Sequence, residues 1–209
     1  MTFSIVACDP STGSWGVATA SRYLAVGSMV PAAEGGVGAI ATQARTNAAF
    51  RSLGLDALRA GRTADEVLTR LLDADPGRAA RQLGIVDSTG STATWTGSEC
   101  GGYAGGYAGE GYVVHGNLLT GPEVVTAMQE AWTKSNPDDP LAHRLLAALT
   151  AGDAAGGDRR GRQSAAILVA RKGSDYILGT DVEIDLRADD HIRPIAELGR
   201  LLTLRYQEV

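Results

Sequence analysis

Apolar positions recur along this chain with two different periods. Thr2 to Ala7 (TFSIVA) alternates small or polar with apolar residues, and Trp15 to Ala20 is rich in strand-favouring types, so both stretches predict strands. Between them, Asp9-Pro10-Ser11-Thr12-Gly13 is turn chemistry: proline presets φ, and glycine takes positive φ without steric cost. Met29–Ala33 and Val37–Thr42 predict a second pair of strands across Glu34-Gly35-Gly36. The second of these runs is small and apolar enough to be buried on both faces, and it ends in the polar cluster Gln43-Ala44-Arg45-Thr46-Asn47. The period then lengthens. Phe50, Leu53, Leu55 and Leu58 predict a helix capped by Asn47, running to Ala60 and stopped by Gly61. Thr63-Ala64-Asp65-Glu66 is a capping box ahead of Val67, Leu68, Leu71 and Leu72, and Pro76 closes this second helix.

Strand patterning returns in Arg81–Asp87 and Ser91–Thr96, which flank the hairpin signal Ser88-Thr89-Gly90. Gly97 to Gly111 (GSECGGYAGGYAGEG) reads as a long ordered loop with close backbone approaches, or as a ligand clamp. It has neither the strand-then-helix setting of a dinucleotide fingerprint nor the Gly-Lys-Ser/Thr ending of a P-loop. Tyr112–Asn117 predicts a strand ending in polar residues. Two helices follow, Pro122–Lys134 with Val124, Val125, Met128 and Trp132 on one face, and Pro140–Ala151 with Leu141, Leu145, Leu146 and Leu149. The charged glycine segment Gly152–Ser164 leads into strands over Ala165–Ala170 and Tyr176–Leu186. A last helix spans Pro194 to Leu204. Tight turns between successive strands imply antiparallel sheets, and the helix pairs would cover their outer faces. The expectation is an α+β fold in one domain over residues 1–209, a four-layer α-β-β-α sandwich.

Composition narrows the function. A net charge of -5 over 209 residues argues against a nucleic-acid or anionic membrane surface. No apolar run approaches the roughly 18–20 residues of a membrane span. The N-terminus lacks the basic segment and apolar core of a secretory signal, so a cytoplasmic protein is expected. Cys8 and Cys100 are too few and too far apart for a disulfide scaffold and read as reduced thiols. No set of His, Cys and carboxylate residues has metal-ligand spacing, so the expected site needs no metal and no cofactor. Lysine is confined to Lys134 and Lys172, which restricts the choice of catalytic cations.

Thr2 carries the sharpest chemical possibility. Removal of Met1 would leave a free threonine amine on the first strand, and a threonine hydroxyl can be activated by its own α-amine. Small residues at position 2 are common, and the bulk of Phe3 works against Met1 removal.

Several segments in this order resemble one family: TFSIVACDPSTGSWGVATASRYLAVG, GVGAIATQ, RQLGIVDSTG, Thr96-Gly97 with Cys100, His115-Gly116-Asn117, AGDAAGGDRRGRQSAAILV and DLRADDHIRPIAELGRLL. The chain is similar over nearly its whole length to the domain of unknown function 1028 family, whose members look like N-terminal nucleophile (Ntn) hydrolases. Cys8 departs from the charged or polar residue expected there. The resemblance implies an Ntn-type amidohydrolase with Thr2 as nucleophile, acting on a C–N bond of a small-molecule substrate. A non-catalytic member that binds a small molecule or a cell-wall fragment in the same cleft is the alternative. Such folds often assemble through their helices, so the resemblance also implies a homodimer.

Where proteasome-like relatives use a lysine beside the nucleophile, neither Lys134 nor Lys172 is well placed. Arg22 at the end of the second strand is the substitute candidate, acting through its field because it cannot lose its proton; a surface salt bridge is the plainer role. Asn117 and Gln43, each at the end of an apolar strand, are candidates for the oxyanion or a substrate amide, or for satisfying buried backbone groups. Asp158, Arg159 and Arg162 with Ser164 form the densest polar constellation. It suits bidentate binding of a carboxylate or carbamoyl group, or an internal brace of the loop. Asp189-Asp190-His191 has the residue types of a metal or acid-base cluster, and its place ahead of Pro194 also suits the capping segment of the last helix, where a helix N-terminus favours carboxylates.

Overall fold

A computed structural model describes residues 2–174, 176 and 179–207. The N-terminal hairpin is formed by β1 (Thr2–Asp9) and β2 (Ser14–Ser21). Its turn is built as the composition requires: the Asp9 carboxylate accepts from the Ser11 amide at 3.0 Å and the Thr12 hydroxyl at 2.9 Å, and Gly13 takes φ 70°. β3 (Pro31–Glu34) and β4 (Gly38–Ala44) follow, then α1 (Ala49–Arg59) and α2 (Ala64–Asp73). Next come β5 (Arg81–Asp87), β6 (Thr92–Thr96), β7 (Tyr103–Gly109) and β8 (Tyr112–Leu119). The chain continues through α3 (Glu123–Lys134), α4 (Leu141–Ala154), β9 (Ser164–Arg171), β10 (Val182–Ala188) and α5 (Pro194–Gln207).

All strand pairing is antiparallel, in a six-stranded sheet of order β10-β9-β2-β1-β8-β7 and a four-stranded sheet of order β3-β4-β5-β6. α3, α4 and α5 cover the first sheet, α1 and α2 cover the second, and the two sheets pack face to face. The α-β-β-α sandwich expected from the patterning is therefore present. Its logic is the period-2 alternation of β1. Phe3, Ile5 and Ala7 point into the helical layer with Leu145, Leu149 and Met128, while Val6 and Cys8 point between the sheets with Trp15, Val17, Ala39, Ala41, Val86 and Val113. A third cluster, with Ile40, Leu83 and Ile85 against Phe50, Leu58, Val67 and Leu71, seals the four-stranded sheet. The Thr63 capping box forms as read: its hydroxyl accepts from the Glu66 amide at 3.3 Å and the Glu66 carboxylate accepts from the Thr63 amide at 2.9 Å.

Three local expectations differ. Residues 97–111 are not loop throughout, because Tyr103–Gly109 forms β7 on the edge of the six-stranded sheet. Glycine has low strand preference, and here pairing with β8 overrides it. Asn47 sits one position outside the cap. Ala48 occupies it, and Asn47 Oδ1 reaches past to accept from the Ala49 amide at 3.2 Å. The strand expected over 176–186 begins only at Val182, and Asp175, Ile177 and Leu178 lie outside the described residues.

Candidate functional site

The layer between the two sheets is divided along the strand direction. One end is the apolar cluster just described, closed by the Trp15 indole donating to the Asp87 carbonyl at 2.9 Å. At the other end the same inward-facing positions turn polar: Thr2 and Ser4 on β1, Thr19 and Ser21 on β2, Gln43 on β4, Gln82 on β5, and His115 and Asn117 on β8. All eight are buried. Burying polar groups costs free energy unless each finds a partner, so a polar half-core is either a tightly satisfied network or a binding site. Here a network lies at the back and a cleft at the front, and both ring nitrogens of His115 stand outside the network without a hydrogen-bond partner.

Gln82 is the hub of the network. Its Nε2 donates to the Gly116 carbonyl (2.7 Å), Thr96 Oγ1 (2.9 Å) and the Gly105 carbonyl (3.2 Å). Its Oε1 accepts from Gln43 Nε2 at 2.8 Å and Asn117 Nδ2 at 3.0 Å. Those two amides also reach the Thr2 carbonyl, at 3.3 Å from Gln43 and 3.5 Å from Asn117. Ser4 Oγ donates to Gln43 Oε1 at 2.6 Å and lies 2.8 Å from Thr19 Oγ1. The effect is to fix the Thr2 backbone from both sheets, by Gln43 from the sheet opposite and by Asn117 from the neighbouring strand β8. Gly84 permits the close approach, since a Cβ there would come within 3.0 Å of Val113 and 3.1 Å of the His115 ring.

Thr2 faces outward from this network into a cleft of about 140 Å³, lined by Thr2, Ser21, Tyr23, Val26, Met29, Val30, Ala44 and Thr46. Its Oγ1 lies 3.2 Å from Ser21 Oγ. The remaining lining is largely apolar and carries no charged side chain. Backbone distortion gathers around this spot. Among the described residues, the non-glycine residues with positive φ are Ala25 (53°), four residues after Ser21, Ala44 (68°), next to Gln43, and Leu118 (52°), next to Asn117. Leu118 is part of a bulge: between the Gly105–Gly116 and Tyr103–Leu119 pairs, β8 has two residues where β7 has one. Bulges and left-handed non-glycine residues cost energy and concentrate beside functional sites.

The other residues singled out from the sequence are placed differently. Arg22 is exposed and does not line the cleft; its guanidinium donates to the Arg160 carbonyl at 3.1 Å, in a separate open depression with Arg162, Gln163, Asp190, His191 and Ile192. Asp158 is buried, accepting from the Arg22 amide at 2.7 Å and the Arg160 amide at 2.9 Å, with the Arg160 guanidinium 3.2 Å away. Arg162 pairs with Asp153 at 2.6 Å, and Arg159 is exposed, with its amide on the Leu118 carbonyl at 3.4 Å. Ser164 accepts from the Val26 amide at 3.0 Å and donates to the Tyr23 carbonyl. Asp158 and Ser164 thus hold residues 22–26, which form one wall of the cleft. His191 Nδ1 accepts from the Arg193 amide at 3.0 Å, ahead of α5. Among the described residues, no three His, Cys, Asp or Glu side chains are grouped to hold a metal ion, and no helix is long and apolar enough to cross a membrane. Sequence reading missed Ser21 and Gln82. Ser21 was available, as the next inward position after Trp15, Val17 and Thr19.

His115 stands directly across β1 from Ser4 and has no solvent exposure. Burial pushes its imidazole down to about 3, from an ordinary value of 6.5. The unfolded chain therefore binds a proton between those values that the folded protein refuses, and stability falls as pH falls from about 6.5 toward 3. Melting temperatures measured from pH 7.5 to 4.5 should decline, and His115→Gln should decline less steeply. Parallel curves would contradict this assignment.

Comparison with known proteins gives a family but no activity. No curated protein matches the chain. A solved crystal structure, that of protein SPO2555 from Silicibacter pomeroyi, described with the same family, is 35% identical with a TM-score of 0.87 and covers 97% of this chain and 88% of that one. The family model described as "Family of unknown function (DUF1028)" matches residues 2–198. A match over nearly the whole length and a similar structure at 35% identity show that this chain belongs to that family of unknown function.

Proposed function

We propose that the protein is an amidohydrolase of the Ntn type, in which Thr2, freed by removal of Met1, hydrolyses a C–N bond of amide or carbamoyl character in a small substrate. The observation that carries this reading is the setting of Thr2. Its hydroxyl lines the cleft beside Ser21, and its carbonyl is held by two buried amides from different sheets. Met1 itself lies outside the described residues.

In this reading the Thr2 α-amine takes the hydroxyl proton, directly or through Ser21 Oγ, as Oγ1 attacks the acyl carbon. The tetrahedral adduct collapses by breaking the C–N bond, and the proton passes to the departing nitrogen. Water, deprotonated by the same amine, then cleaves the acyl ester. Gln43 and Asn117 position Thr2, and Asn117 is also the oxyanion candidate, because its 3.5 Å contact with the Thr2 carbonyl is long and little is lost by leaving it. Arg22, outside the cleft, acts on the amine only through its field. Asp158 and Ser164 act on the substrate through the 22–26 wall, and Arg159 and Arg162 lie beyond it. The cleft volume and uncharged lining favour a compact, neutral acyl group. Two unpaired cysteines, one buried and one half-buried, fit a cytoplasmic setting.

The test is the pH dependence of hydrolysis of short N-acyl amides. The amine must be neutral to act, so kcat/KM should rise through an apparent pKa of about 7–8 and level off above it. A profile flat from pH 6 to 9 overturns the α-amine as base.

A further inference from the structure

We propose that two copies of this chain join edge to edge along β7, so that the six-stranded sheet continues from one copy into the next. The argument is the asymmetry of the four sheet edges. An edge strand exposes unpaired backbone groups, and proteins that stay monomeric protect such edges with charges, prolines, bulges or short length. On one side of this sandwich the edges are protected. β10 carries Glu183, Asp185 and Arg187 together with an irregularity between Val182 and Ile184, and β3 has only four residues, with Pro31 at its start and Glu34 at its end. On the other side β7 and β6 lie next to each other, and neither Tyr103–Gly109 (YAGGYAG) nor Thr92–Thr96 (TATWT) contains a charged residue or a proline. β7 has no strand on its outer side among the described residues. The extra residue opposite it belongs to β8, which leaves β7 itself regular.

The occupant follows from the order of residues in β7. A two-fold dimer requires a surface that complements itself. Tyr103-Ala104-Gly105-Gly106-Tyr107 is symmetric about Gly105 in its large and small positions, so an antiparallel copy centred there sets Tyr103 opposite the partner's Tyr107, and Tyr107 opposite the partner's Tyr103. Both tyrosines are exposed large side chains, at 39% and 43%. Cross-strand aromatic pairs are among the pairings that stabilise sheets, and the glycines between them leave the backbone free to approach. This dimer uses a sheet edge, not the helical faces through which Ntn-type folds often assemble.

Sedimentation equilibrium over about 1–200 µM tests it. The wild-type chain should sediment at twice its 21.6 kDa mass, and a Tyr107→Lys/Ala108→Lys variant should sediment as a monomer with an unchanged far-ultraviolet spectrum. Asp185→Lys on the opposite edge should leave the dimer intact. Register is tested separately, by mixing Tyr103→Cys with Tyr107→Cys under mild oxidation. The mixture should form a 103–107 disulfide far more readily than either variant alone. A wild-type monomer throughout the range, a dimer indifferent to the β7 lysines, or cysteine variants that cross-link only with themselves would overturn the proposal.

Discussion

Replacing Gln82 by leucine is expected to lower stability by about 3–5 kcal/mol, which for a chain of this size is a fall of roughly 10 °C or more in melting temperature. Gln82 is fully buried and uses both ends of its amide, accepting from Gln43 and Asn117 and donating to the Gly116 and Gly105 carbonyls and Thr96. Leucine has similar volume, so packing is largely kept. The loss comes from the partners, since two side-chain amides and the carbonyls opposite them stay buried without their mates. Gln82→Glu separates the contributions. It keeps an acceptor for Gln43 and Asn117 but sets a buried carboxylate oxygen against the Gly116 and Gly105 carbonyls, so at neutral pH it should be at least as destabilising as leucine and recover as the carboxyl protonates at lower pH. Urea unfolding of the three proteins checks the order. A leucine variant within about 1 kcal/mol of wild type would show that the network is not what holds the two sheets together at this end.

Thr2→Ala should do the opposite: abolish activity while sparing the fold. The substitution removes one side-chain hydrogen bond, to Ser21, worth about 1 kcal/mol. The Thr2 carbonyl, with its bonds from Gln43 and Asn117, is untouched. Loss of a nucleophile typically costs about 10³–10⁶ in kcat. Thr2→Ser keeps a hydroxyl on the same strand and should retain measurable hydrolysis. If alanine hydrolyses a substrate as fast as wild type, a group other than Thr2 performs the chemistry.

The two effects differ in how they could be seen in the sequence. Alternation in β1 and β2 and the 3.6-residue periods of α2 to α4 declared the four layers, because those patterns report burial directly. Gln43 and Asn117 were visible as polar residues ending apolar strands. Gln82 was not, because its role depends on register: it is paired with Gln43 across β4 and β5 and meets Asn117 only when the two sheets stack. The positive φ of Ala44 and Leu118 leaves no mark in residue types that ordinarily avoid it. Arg22 is suggested by its strand position, yet its guanidinium donates to the Arg160 carbonyl and does not line the cleft that holds Thr2. In the sequence Asp158, Arg159 and Arg162 form one polar constellation. In the fold Asp158 pairs with Arg160 and Arg162 with Asp153, partners that sequence proximity did not distinguish. β7 was hidden by its glycines.

The central claim is that the working protein begins at Thr2 and reacts there. Intact-mass analysis and peptide mapping after incubation with a β-lactone, an acylating electrophile, test this in one experiment on protein from its native host. The account predicts a chain lacking Met1 that gains one equivalent of label, carried on the N-terminal peptide and absent in Thr2→Ala. A chain that keeps Met1 and still hydrolyses its substrate, or a label that lands on Cys100 or another side chain instead, would contradict it.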